Sequence, residues 1–136
     1  MTKTLAPTSN ERIWQASGAA LYAGDIDAFL SHRHEDGRYE VAYPFAGFPA
    51  AVTGHDELRA LFAGFATLAE WIRVEDVRFH PTADPDVAFV EEHMTASLRD
   101  GRRYENDLCL RVTFRDGLIA EIFEYYGERA HETLAP

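Results

Sequence analysis

Glu91, His93, Thr95 and Ser97 alternate along the run 87–98, and Ile122, Glu124 and Tyr126 alternate along the run 118–127. Successive side chains of a strand leave on opposite faces, so each set shares one face. If both faces line a cavity, a His and two carboxylates converge there. Burial favours the neutral carboxylic acid while a nearby imidazolium favours the carboxylate, so a Glu–His pair can be poised to exchange a proton near neutral pH. Isomerisation, dehydration or cyclisation needs little more. In this reading Glu124 is the principal acid or base, His93 is its partner and Glu91 orients the His. The opposite face of 87–98 carries Val90, Glu92, Met94, Ala96 and Leu98. Period two does not say which face is inner, and the alternative is that Glu91 and His93 are ordinary surface residues.

Other reactive types are less suggestive. His32, His34, Glu35 and Asp36 cluster where a helix should end, a place for solvated charges, and their spacing matches no closed zinc site. Neither a metal nor a cofactor is expected. Cys109 is the single cysteine, so no internal disulfide or Cys-based metal site can form, and its parity is opposite to that of Leu108 and Leu110. The formal charge is −10 and no basic cluster exceeds Arg102-Arg103, which disfavours nucleic acid and anionic membranes as partners. No apolar run approaches the roughly 18 residues of a membrane span. Residues 1–10 lack the apolar centre of a secretory signal, so a cytoplasmic location is expected.

The chain is 136 residues long, 46% hydrophobic and 26% charged, which suits one globular domain. Residues 1–9, rich in Thr, Pro and Ser, should be disordered, the domain should span 10–127, and 128–136 should be a flexible tail. Ile13, Trp14, Ser17, Leu21 and Tyr22 recur at helical spacing after a cap at Ser9 or Asn10, and Ala23-Gly24-Asp25 ends that helix and opens a second through Leu30. Residues 37–43 alternate as a strand, and 44–53 read as an irregular loop. Gly54-His55-Asp56-Glu57 opens a third helix with Leu58, Leu61, Phe62, Phe65 and Leu68 in one stripe. Strands follow at about 72–80, 87–98, 102–115 and 118–127, the last three joined by Asp-Gly turns into an antiparallel meander. Helices first and a meander last is an α+β order: a curved, mostly antiparallel sheet closed by three helices into a cone around a pocket.

The segments Ala19 to Phe29, Gly54 to Leu58, Asp84-Pro85-Asp86, Gly101 to Asn106, Asp116 to Ile119 and Glu124-Tyr125-Tyr126 together resemble the SnoaL-like (nuclear-transport-factor-2-like) superfamily, which includes polyketide cyclases, ketosteroid isomerase, limonene epoxide hydrolase and the phenazine-biosynthesis A/B proteins. The resemblance runs from about Arg12 to Tyr126. It implies the cone fold, an interior pocket for a small molecule and a homodimer. Its known chemistries transfer unevenly. The ketosteroid isomerase Tyr and two Asp correspond to Ser17, Val41 and Leu110, which cannot move a proton in that way. The phenazine A/B Glu is matched by Glu124, but Leu61 stands where their His should be. The Arg, Asp and Asp of limonene epoxide hydrolase correspond to Glu91, His93 and Glu124.

The pocket is therefore expected to be lined by Trp14, Ser17, Leu21, Tyr39, Val41, Tyr43, Phe62, Phe65, Thr95, Leu108, Leu110 and Tyr126, with Asn106 either donating inside it or satisfying a strand edge at its mouth. The expected function is a cofactor-independent acid–base enzyme of isomerase, dehydratase, cyclase or epoxide hydrolase type on a largely apolar metabolite. The alternative is a non-catalytic ligand-binding or dimerisation domain of the same fold. A homodimer is expected to cover the convex side through Val90, Met94, Phe123 and Tyr125.

Overall fold

A computed structural model describes residues 8–44 and 47–127. The expected disordered segment overlaps the described chain only at its end, and the expected tail 128–136 lies outside the described residues. Helix α1 (Ser9–Tyr22) is capped by Thr8, not by Ser9 or Asn10 as expected: the Thr8 side chain accepts from the Glu11 N–H at 3.2 Å. Asn10 instead donates to the Pro85 carbonyl at 3.0 Å, tying α1 to the turn before a strand. Asp25 caps α2 (Ile26–Ser31) by accepting from the Ala28 N–H at 3.0 Å, which satisfies a first-turn donor. Between the two helices Gly24 takes φ 78°, a left-handed conformation that costs glycine little. Helix α3 (His55–Leu68) follows Gly54 as the sequence indicates.

The described strands are β1 (Arg33–Val41), β2 (Ala51–Thr53), β3 (Ala69–Pro81), β4 (Val87–Leu98), β5 (Arg103–Arg115) and β6 (Leu118–Tyr126). They form one sheet in the order β2-β1-β6-β5-β4-β3, antiparallel throughout except for the parallel β1–β6 pair. This is the α+β curved sheet with three helices that the element order implied, although the sheet stays open at β2 and β3. Two segments differ in detail. β1 begins earlier than the alternation from residue 37 suggests, because its register against β6 shifts between Arg33 and Arg38 and breaks the period there. Gly37 lies in that irregularity, where a Cβ would stand 2.8 Å from the His34 carbonyl oxygen. The expected loop 44–53 ends in β2, which pairs Tyr39 with Val52.

The concave face carries the core. Val90, Val112, Ile119 and Ile122 are at most 1% exposed and pack towards Phe29 and Leu58 from the helices. Phe29 meets Phe62 edge to face with centroids 4.9 Å apart. Complete burial of a side chain of this size contributes about 1.5–3 kcal/mol. The face assignment of β4 follows from its hairpin with β5, which pairs Val90 with Leu110, Glu92 with Leu108 and His93 with Asp107. Paired residues share a face, so the inward Leu108 and Leu110 carry Val90 and Glu92 inward with them. Val90 and Met94, expected on the convex side, accordingly belong to the core, while Phe123 and Tyr125 pair with Arg111 and Cys109 on the outer face.

Candidate functional site

The concave face, α1 and α3 enclose a cavity of about 400 Å³. Its walls are mostly apolar: Trp14, Leu21, Val41, Phe62, Phe65, Leu108 and Leu110 line it as the sequence indicated, together with Ser17, Tyr39 and Tyr126. Three carboxylates line it: Glu124 from β6 and Glu92 from β4, neither of them exposed, and the exposed Glu70 from β3. Tyr39 donates its phenolic hydroxyl to Oε2 of Glu124. Burial pushes the Glu124 carboxyl up from 4.5 to about 7 against that hydrogen bond, which favours the ionised form. Glu92 is likewise raised to about 7, by burial first and by the negative charge of Glu124 second. The Arg33 cation and a hydrogen bond from the Trp14 indole partly offset that rise. Two carboxyls of nearly equal acidity thus face one apolar cavity, and the repulsion between them favours states in which one keeps its proton.

Further polar lining comes from Tyr22 on α1, Arg33 on β1, Tyr104 on β5, Tyr126 on β6 and Arg99 just after β4. Tyr22 has its phenol raised by burial, then by Glu92 and Glu124. The Tyr126 hydroxyl donates to the Tyr43 carbonyl, and its phenol is pushed up to about 12, again mainly by burial. Arg33 enters at the start of β1, with its guanidinium 4.5 Å from the Phe29 ring centroid. Among the described residues no group of three His, Cys, Asp or Glu is arranged to hold a metal ion.

Several expected site residues stand elsewhere. His93 lies on the outer face, where its Nδ1 is 2.7 Å from Asp107 and its Nε2 is 2.9 Å from Glu105. The Asp107 hydrogen bond above all raises the pKa of this imidazole from 6.5. Glu91 is also outside, with Oε1 2.7 Å from Nε2 of His80. Neither meets Glu124, because β5 fixes the register that turns odd-numbered β4 residues outward, Thr95 among them. Tyr43 is 53% exposed and does not line the cavity; its carbonyl accepts from the Tyr126 hydroxyl and its ring meets the Tyr126 ring edge to face, with centroids 6.2 Å apart. Asn106 is buried but spends its amide on structure: it donates to the Tyr104 hydroxyl at 3.0 Å and the Gly127 carbonyl at 3.1 Å, and accepts from the Gly127 N–H at 3.1 Å. It therefore closes the end of β6, the second of the two roles open to it.

Glu92, Arg33 and Tyr22 were missed as site residues. Glu92 carried a usable signal, a lone carboxylate in the otherwise apolar stripe Val90, Met94, Ala96, Leu98. Arg33 carried none, since an arginine just after a short helix ordinarily points to water.

The comparisons with known proteins agree with this architecture. No curated protein sequence matches the chain. A candidate isomerase from Bacillus subtilis superposes with a TM-score of 0.83 at 15% identity, covering 93% of this chain and 92% of that one. A candidate polyketide cyclase from Pseudomonas putida gives 0.77 at 22% identity over 93% and 98% of the two chains. TerC, solved in co-crystals with polyporic acid, gives 0.79 at 22% identity over the same shares. At such identities these likenesses speak to the fold alone. No helix among the described residues is long and apolar enough to cross a membrane. The family model for the SnoaL-like domain matches residues 14–122, most of the chain, and the chain belongs to that family.

Proposed function

We propose that the pocket is the active site of a cofactor-independent acid–base enzyme acting on a small, largely apolar molecule, of isomerase, dehydratase, cyclase or epoxide hydrolase type. The observation that carries this reading is the pair Glu124 and Glu92, both raised to about 7 and facing the same apolar cavity. Acid–base catalysts work best with a pKa near the working pH, and burial supplies that here. Glu124 is the base, because the Tyr39 hydroxyl favours its ionised form. Glu92 is the acid, because the charge on Glu124 holds its proton on. A proton taken from one end of a bound molecule by Glu124 and one given at the other by Glu92 amounts to an isomerisation, or to the loss of water when the second proton goes to a departing hydroxyl. His93, first expected as the partner, is replaced in this reading by Glu92. Structural neighbours that include one candidate isomerase and candidate polyketide cyclases, and TerC with its polyporic acid, are in keeping with it.

Turnover of epoxides, enones and β-hydroxy carbonyl compounds by wild type beside Glu124→Gln and Glu92→Gln is the direct test. Each variant nearly preserves shape and is expected to lose about 10²–10⁴-fold in rate. Turnover indifferent to both substitutions would remove the pair from the mechanism, and absence of turnover by wild type would leave the non-catalytic binding domain as the better account. We also propose a homodimer through the outer face of the sheet, where the Phe123 and Tyr125 rings meet at a tilt with centroids 5.1 Å apart beside Arg111.

A further inference from the structure

Arg33 is 6% exposed yet lines the cavity, and its Nε finds no hydrogen-bond partner among the described residues. None of the ion pairs formed by the described residues includes it. Its guanidinium carbon lies 4.5 Å from the centroid of the Phe29 ring, an apolar contact that supplies no counter-charge. Burial pulls its pKa from 12.5 only to about 10, so the group is a cation at neutral pH. The groups that face it are Tyr39 on β1, Tyr22 on α1 and Glu92 on β4. Two of these are phenols, which carry no charge near neutral pH, and the third is a carboxyl raised to about 7. A buried cation without a full counter-charge is costly, and it is ordinarily kept where something pairs with it. A second polar atom of the same cavity, Oγ of Ser17 on α1, is also buried without a partner among the described residues.

We propose that the pocket recognises an organic carboxylate, whose two oxygens are received by the Arg33 guanidinium with Ser17 as a further donor, and whose apolar body lies against Phe62, Leu108 and Leu110. A planar guanidinium fork matches a planar carboxylate in a way that no neutral group reproduces. Binding also removes the charge deficit at Arg33, and the added negative charge favours protonated Glu92, which is then a donor too. The chain's formal charge of −10 opposes an arriving anion at long range, but salt screens that field over about 10 Å whereas the contact with Arg33 is made in the cavity. The proposal deepens the acid–base reading of this site by naming its substrate class, and it is tested by binding alone.

The full chain is titrated calorimetrically with 2-naphthoate and with its neutral isostere 2-naphthamide near neutral pH. Wild type is expected to prefer the carboxylate by about tenfold or more, as charge-assisted bidentate pairing implies. Arg33→Met is expected to abolish the preference, and Arg33→Lys to reduce it because an ammonium cannot grip both oxygens. Equal affinities in wild type, absence of naphthoate binding at millimolar concentration, or a preference that survives Arg33→Met would overturn the proposal. If circular dichroism shows Arg33→Met unfolded, Arg33→Lys decides, an undiminished preference being the overturning result. Failure of Glu124→Gln to lower turnover would sink the acid–base reading while leaving the carboxylate preference standing, so the two failures are told apart.

Discussion

Tyr39 on β1 donates to Oε2 of Glu124 on β6, across the parallel strand pair in which Val41 stands opposite Glu124. That bond favours the ionised form of a carboxyl that burial otherwise holds neutral. Tyr39→Phe removes it while keeping the ring that packs edge to face on Phe62 at 5.8 Å. The acidic limb of the kcat/KM profile, set by Glu124 at about 7, should therefore move to higher pH. The expected loss is about tenfold in rate near neutrality, recovered as the pH is raised. A uniform loss at every pH would show that Tyr39 acts on packing and not on the base.

The two carboxyls also predict how stability depends on pH. Both have folded pKa values raised from 4.5 to about 7, so between those values the folded chain binds more protons than the unfolded one. Stability then falls as pH rises through that window, and below it these groups cost nothing. Glu124→Gln removes one share of the fall. Urea titrations should find the variant close to wild type at about pH 5 and more stable by about 1–3 kcal/mol at about pH 8. An equal stability difference at both pH values would mean that Glu124 is not held towards neutrality by the fold.

Much of this site was legible from the sequence. Glu124 announced itself as a carboxylate between Ile122 and Tyr126 in an apolar stripe, and it lines the pocket. The assignment of β4 went astray by favouring the polar stripe Glu91, His93, Thr95. The Arg99-Asp100-Gly101 turn held the correction: a hairpin centred on Asp100 pairs 92 with 108 and 90 with 110, so placing Leu108 and Leu110 inside obliges Glu92 to be inside as well. Arg33 was not legible in the same way. Its inward position depends on the register shift between Arg33 and Arg38 against β6, a tertiary feature with no periodic trace.

His93 supplies a negative control with its own signature. It bridges Asp107 and Glu105 on the outer face, where both hydrogen bonds favour imidazolium. In proton NMR titrations His93 should titrate above an ordinary histidine, and Asp107→Asn should bring it down, the Asp107 contact being the larger cause. Because the group is raised, whatever stability it lends is present at low pH and is lost as pH rises through its folded pKa. His93→Ala should leave turnover unchanged, and a catalytic loss there would return the imidazole to the mechanism.

The outer face makes the last prediction. Its β4 and β5 residues are largely polar or charged, but β6 adds Phe123 and Tyr125, each partly buried within a single chain, with Arg111 over the Phe123 ring at 5.0 Å. An apolar patch rimmed by charges on an open sheet is the kind of surface that a second copy covers, and twofold pairing would set each patch on its counterpart. Light scattering at micromolar concentration should give twice the chain mass of 15.4 kDa. Phe123→Asp should shift the species towards monomer without emptying the pocket, since Phe123 lies on the face opposite Ile122 and Glu124. A wild type that stays monomeric at that concentration would rule out the dimer, and a dimer indifferent to Phe123→Asp would move the interface to another surface.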